Sequence, residues 1–258
     1  MDITVPTVDG AQPPQTLDRK TLIVFVSATV IMVVFSYWGL PSRFAGTGFH
    51  QGLADRLGEG YSAYFLLLPY QYWGVSSLVI RVLAPLVVIT IILRESPRDW
   101  GFRLGGQWEH LRPYVWFLAV MLPVLFFASS LSSFQGKYPL YSLAVSGGWH
   151  FWGYQIFYGL QFLGLEAFFR GFLVFGLYPR LGVYAVPVMV IPYTMIHFGK
   201  PAPETFAAIL AGFILGYLAL KSRSFLWGWM LHWGVAISMD LLVIGREVGF
   251  TNVVRVVF

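Results

Sequence analysis

The chain has 258 residues, of which 57% are hydrophobic, 18% aromatic and only 11% charged, with a mean hydropathy of +0.67 and a net charge of +5. A soluble domain carries roughly 25% charged and 45–50% apolar residues, so this composition excludes one and predicts a polytopic membrane protein. The lack of cysteine excludes disulfides, thiolate metal sites and cysteine nucleophiles. The positive balance sits in short loops beside apolar runs, which points to membrane topology and not to nucleic acid.

Residues 1–20 read as a disordered tail without a long apolar run. Arg19-Lys20 then precedes an apolar run at 22–40, too long for the core of a signal peptide and long enough for a retained anchor. Residues 41–60 are polar and Gly-rich and read as a loop. The stretch 61–93 contains Pro69 and Arg81, and reads as an interfacial piece rich in Tyr and Trp followed by a span. A charged loop at 94–112, broken by Pro97 and Gly105-Gly106, leads to a span at 113–131 and a Gly- and Ser-containing loop at 132–149.

The second half is expected to hold a long helix at 150–178, a shorter span at 183–197, a helix at 204–220 and a last span at 225–244. Ala208, Gly212 and Gly216 make a small-residue ridge that lets a neighbouring helix come close. The fold class expected is all-α, a transmembrane bundle of about 7–8 helices with a polar cavity inside the membrane. By segment, this gives a tail at 1–20, N-terminal helices and loops at 21–148, a core at 149–245 and a C-terminal tail at 246–258. Alternating spans would put Arg19-Lys20, the 94–112 loop and Lys221/Arg223 on one side, predicting a cytoplasmic N-terminus.

Ionisable groups inside apolar spans are costly and mark function by default. Glu166 and Arg170 stand four residues apart on one helix and can pair. They read either as a carboxylate held ready and oriented by the arginine, or as a buried ion pair that fixes helix register. His197 and His232 fall on two further spans. Either one alone reads as a hydrogen-bonding residue between helices. Together with Glu166 they make two imidazoles and a carboxylate, a common ligand set for a catalytic zinc with one position left for water. Without metal, the same groups could act as base and oxyanion donor around a water. Zinc, another divalent ion, and no cofactor at all remain open from these residues.

Tyr193 shares a helix face with His197. Glu204 reads as a helix-start acid favoured by the helix dipole, or as a second carboxylate returned beside His197 by the rigid 199–203 corner. Asp240 lies about 80° round the helix from His232, which does not favour a shared site. His50, His110 and His150 fall in loops or span ends and read as solvated.

Glu166-x-x-x-Arg170-Gly171, Tyr193-x-x-x-His197 and His232, in that order on three spans, resemble the motifs of the CAAX-protease and bacteriocin-processing (CPBP) family of intramembrane proteases. That family includes the type II CAAX prenyl endopeptidases and bacterial self-immunity proteins, and the resemblance covers residues 149–242. It implies a helical bundle with a conical cavity open to membrane or cytosol, and cleavage near the C-terminus of a membrane-anchored protein or peptide. It also implies an integral protein of the bacterial cytoplasmic membrane whose partners are the bilayer and that substrate. The family pattern has two adjacent glutamates where this chain has Leu165-Glu166, a common Phe at Tyr193, and His-x-x-x-Asn where it has His232 and Ala236. In the prenyl endopeptidases the first glutamate is thought to activate the water and the asparagine to help hold the oxyanion. Glu204 is a candidate to replace the missing acid. The expected catalytic set is therefore Glu166, Arg170, His197, His232 and Glu204, with Glu166, His197 and His232 as a metal set where a metal is used. An inactive scaffold or immunity-type binder, and a small proton-coupled transporter, are the alternative readings.

Overall fold

The computed structural model describes residues 18–57, 62–103 and 108–257. Residues 1–17 of the expected tail, Gly60 and Gly105-Gly106 lie outside them. Among the described residues there is no strand, and six helical runs are long and apolar enough to cross a membrane. The chain is an α-helical integral membrane protein.

Helix α1 spans Arg19–Gly39. Asp18 caps it, its carboxylate accepting from the Thr21 backbone N–H at 2.8 Å. Helix α2, Leu68–Ile92, is one continuous span. Pro69 falls in its first turn, where a missing N–H costs nothing. Arg81 is buried within α2, its guanidinium 3.4 Å from the centre of the Phe35 ring. The segment read as a loop between α1 and α2 instead holds two short helices, Pro41–Ala45 and Gly48–Leu57. His50, expected in solvent, is buried there and stacks on Phe65. Helix α3 is Trp108–Ala128.

The next run, Gly148–Met195, is 48 residues long, far more than one crossing needs. It doubles back at Gly182, whose φ of 53° lies in the left-handed region that glycine adopts without penalty. Two antiparallel arms result: α4 over 148–181 and α5, Ala185–Met195. Counted this way the described residues hold seven main helices, in line with the expected bundle of about 7–8. Helices α6, Ala202–Ser222, and α7, Leu226–Val248, follow. A last turn of helix, Val253–Val257, is tied to α4 where Trp152 Nε1 donates to the Val257 carbonyl at 3.2 Å.

Helix α4 is the axis of the bundle. From Ala167 to Val174 every side chain is buried, as expected of a helix that is apolar all round save for Arg170. This stretch loosens from α- to π-type turns, a feature frequent at functional sites. It packs against α5, α6 and α1, while the preceding part of α4, 148–166, packs against α2 and α7. In lipid, helices gain little from hiding apolar surface and associate through close contact of small residues. A Cβ added at Gly74 would stand 2.6 Å from the Phe157 carbonyl of α4. The α6 ridge behaves as its sequence suggests: a Cβ at Gly212 would meet Val190 at 3.0 Å, and one at Gly216 would meet Val186 at 2.6 Å, both on α5. Side chains such as Ile91, Val120 and Phe127 project outward, as a hydrocarbon surround requires.

Candidate active site

Glu166 lies midway along α4 and is fully buried. One of its oxygens, Oε1, is shared. Arg170 Nη1 stands 3.0 Å away as an ion pair without hydrogen-bond alignment, and His232 Nδ1 of α7 donates to the same atom at 2.9 Å. The other oxygen, Oε2, is buried without a partner among the described residues. It faces the backbone of Gly228, where an added Cβ would stand only 2.9 Å from it. Gly228 lies one turn before His232, so α7 offers an imidazole and a notch on the same face. The His232 side chain is 16% exposed, the edge by which the buried pair meets open space.

Arg170 also reaches α5, its guanidinium 4.0 Å from the centre of the Tyr193 ring. That ring lies edge-on between two imidazoles, 4.8 Å from His197 and 6.4 Å from His232, centre to centre. His197 Nδ1 donates to the Tyr193 carbonyl at 2.8 Å, since a carbonyl only accepts. This leaves Nε2 of His197 unprotonated. Burial, reinforced by the nearby Lys200 charge, pushes its pKa down to about 3. The bond from His232 to Glu166 fixes His232 in the same tautomer, with Nε2 free to take a proton.

The structure thus brings together Glu166, Arg170 and His232, and sets His197 across the Tyr193 ring from them. Glu204 is elsewhere. Its carboxylate pairs with Lys200 Nζ at 2.7 Å and accepts from the hydroxyl of Tyr138, on the α3–α4 loop, at 2.7 and 2.8 Å. It has no bond to Glu166 or either imidazole among the described residues, so it does not complete a carboxylate pair with Glu166. Thr205 Oγ1 donates to the His197 carbonyl at 2.9 Å and ties the same corner to α6. Burial and the adjacent Glu204 charge raise the Tyr138 hydroxyl well above the usual phenol range.

Glu166, His197 and His232 do not fit a one-ion ligand set as they stand. Among the described residues no three His, Asp or Glu side chains gather closely enough to hold a metal. Leu165, in the place of the expected first glutamate, is buried in the apolar cluster around Phe168 and Phe169 and points no polar group at the site. Asp240 accepts from Gln155 Nε2 at 2.6 Å and is separate from His232, in line with its angular offset. Two contributors escaped sequence reading. Gly228 could have been found from its one-turn spacing to His232, whereas Tyr138, 66 residues from Glu204, leaves no local signal.

A helical membrane protein whose central span carries a buried acid, paired with an arginine on its own helix and an imidazole on another, is the class these features define. Residues 147–238 match the family model described as type II CAAX prenyl endopeptidase Rce1-like, and over this stretch the chain is similar to that family. The match opens at the start of α4 and closes just past His232. No curated protein and no solved structure matches the chain.

Proposed function

We propose that the chain is an intramembrane endopeptidase that cleaves a membrane-anchored protein or peptide near its C-terminus, with His232 as base and Glu166 as the group that orients it. The observation that carries this reading is the 2.9 Å bond between Glu166 and His232, made between two helices inside an apolar bundle. Glu166 holds the Nδ1 proton, so Nε2 of His232 takes a proton from a water. The resulting hydroxide adds to the carbonyl carbon of the scissile bond. As the C–N bond breaks, His232 returns the proton to the leaving nitrogen. Arg170 holds Glu166 in place, and His197, neutral over the working pH range, accepts a hydrogen bond from water or substrate. The surrounding aromatic shell, with Phe162 4.4 Å from His232, excludes bulk solvent.

A second reading, an inactive family member that binds without cutting, draws support from Leu165 and Ala236. One assay separates the two. The purified protein in proteoliposomes is given a lipidated peptide, and the product C-termini are read by mass spectrometry. Cleavage that falls by a factor of roughly 10³ or more in both Glu166→Gln and His232→Ala is expected. No cleavage by the wild type across a panel of lipidated peptides, or equal cleavage by wild type and both variants, would sink the catalytic assignment.

A further inference from the structure

Where α1 begins and α2 ends, the two helices part and leave a crevice of about 650 Å³. Its chemistry changes with depth. The rim carries charged side chains from both helices, and one turn deeper the walls are Ile23, Ile91 and Ile92. Ile91 and Ile92 are 67% and 50% exposed, so the deep end opens sideways onto the hydrocarbon that surrounds the bundle.

Most of the rim charge is already matched. Lys20 pairs with Glu95 at 2.7 Å, and Glu95 also accepts from Trp100 Nε1 at 2.9 Å. Asp18 is committed to the first turn of α1. Two positive charges remain: Arg19 and Arg94 are exposed, and neither side chain has a partner among the described residues. Arg94 has a φ of 57°, an uncommon conformation for a residue with a Cβ, and closes α2 at the rim.

We propose that this crevice binds an anionic glycerophospholipid, its phosphate held by Arg19 and Arg94 and the start of an acyl chain lying along Ile23, Ile91 and Ile92. A guanidinium fork matches the oxygens of a phosphate, and basic pockets between the ends of membrane helices recruit anionic headgroups. The apolar floor and its lateral opening select a lipid over a free phosphate. The matched state of Asp18 and Glu95 selects an anionic headgroup over a zwitterionic one, because no free carboxylate remains for an ammonium. The site is independent of the peptidase reading.

The test uses the full-length protein in mild detergent, titrated with phosphatidylglycerol or phosphatidylcholine, with bound lipid counted by native mass spectrometry. One phosphatidylglycerol should be retained about tenfold more tightly than phosphatidylcholine. Arg19→Gln with Arg94→Gln should erase that preference, while Arg43→Gln with Arg255→Gln, at the other end of the bundle, should keep it. Ile91→Ser with Ile92→Ser, which leaves both arginines in place, should weaken both lipids together and serves if the arginine pair does not fold. Equal binding of the two lipids by the wild type, or a preference that survives loss of both arginines, would overturn the proposal. Displacement of phosphatidylglycerol by inorganic phosphate would also overturn it, since the headgroup alone would then be the ligand.

Discussion

Gly228 of α7 and Glu166 of α4 are shaped to each other. The glycine leaves out the one carbon that would stand 2.9 Å from the buried carboxylate oxygen. Gly228→Ala is therefore expected to push Glu166 from its place beside His232 while leaving the helices intact. A displacement of an ångström at such a site costs on the order of 10²-fold in rate. Peptidase assays set beside circular dichroism check this. A variant with unchanged turnover would show that the carboxylate position is not critical.

Arg170 is the charge paired with Glu166 on its own helix, and both are fully buried. Removing one member of a buried pair typically costs about 3–5 kcal/mol, because the other is left uncompensated. Arg170→Met should therefore lower thermal stability in detergent sharply, whereas Arg170→Met with Glu166→Gln should recover much of it. If the double variant is no more stable than the single one, the two side chains are not coupled.

The pH dependence of stability follows from His197. An unfolded imidazole takes up a proton near pH 6.5, and the folded one only at about 3. The unfolded state binds more protons between those values, so the stability this residue contributes is full above pH 6.5 and is lost as the pH falls toward 3. At about 1.4 kcal/mol per unit, the protein should lose roughly 2 kcal/mol between pH 6.5 and 5 through this group. Thermal melts at the two pH values, compared with His197→Gln, measure it. Equal losses in wild type and variant would clear the imidazole of this role.

Tyr138 holds Glu204 from the loop between α3 and α4, and Glu204 in turn holds Lys200 beside His197. Tyr138→Phe deletes one partly buried hydrogen bond to a carboxylate, worth about 1.5–3 kcal/mol of stability. It should raise KM several-fold with little change in kcat, since the hydroxyl binds the corner and not Glu166 or His232. A kcat loss comparable to that of His232→Ala would move Tyr138 into the chemistry itself.

Much of this arrangement was legible in the residues. The i, i+4 spacing of Glu166 and Arg170 and the small-residue ridge of α6 are local patterns, and helix geometry carries them directly into three dimensions. The helices at 41–57 were not legible. Their polar, Gly-rich composition matches a loop, and the stacking of Phe44 on Tyr72 of α2 and of His50 on Phe65 is a tertiary effect. Nor was the division of labour among the acids. Glu166, Glu204 and Asp240 look alike as single carboxylates in apolar surroundings. Their partners His232, Tyr138 and Gln155 lie 66, 66 and 85 residues away and are set by how the helices cross.

The hairpin at Gly182 has a consequence for biogenesis. Glu166, Arg170 and Tyr193 all belong to the continuous stretch that this bend folds in two, and His197 follows it by two residues, so all four are made before α6 and α7. His232 arrives with the final crossing. A ribosome still translating α6 therefore holds a chain without the His232–Glu166 bond, and the arrangement proposed to activate water closes only when insertion is complete.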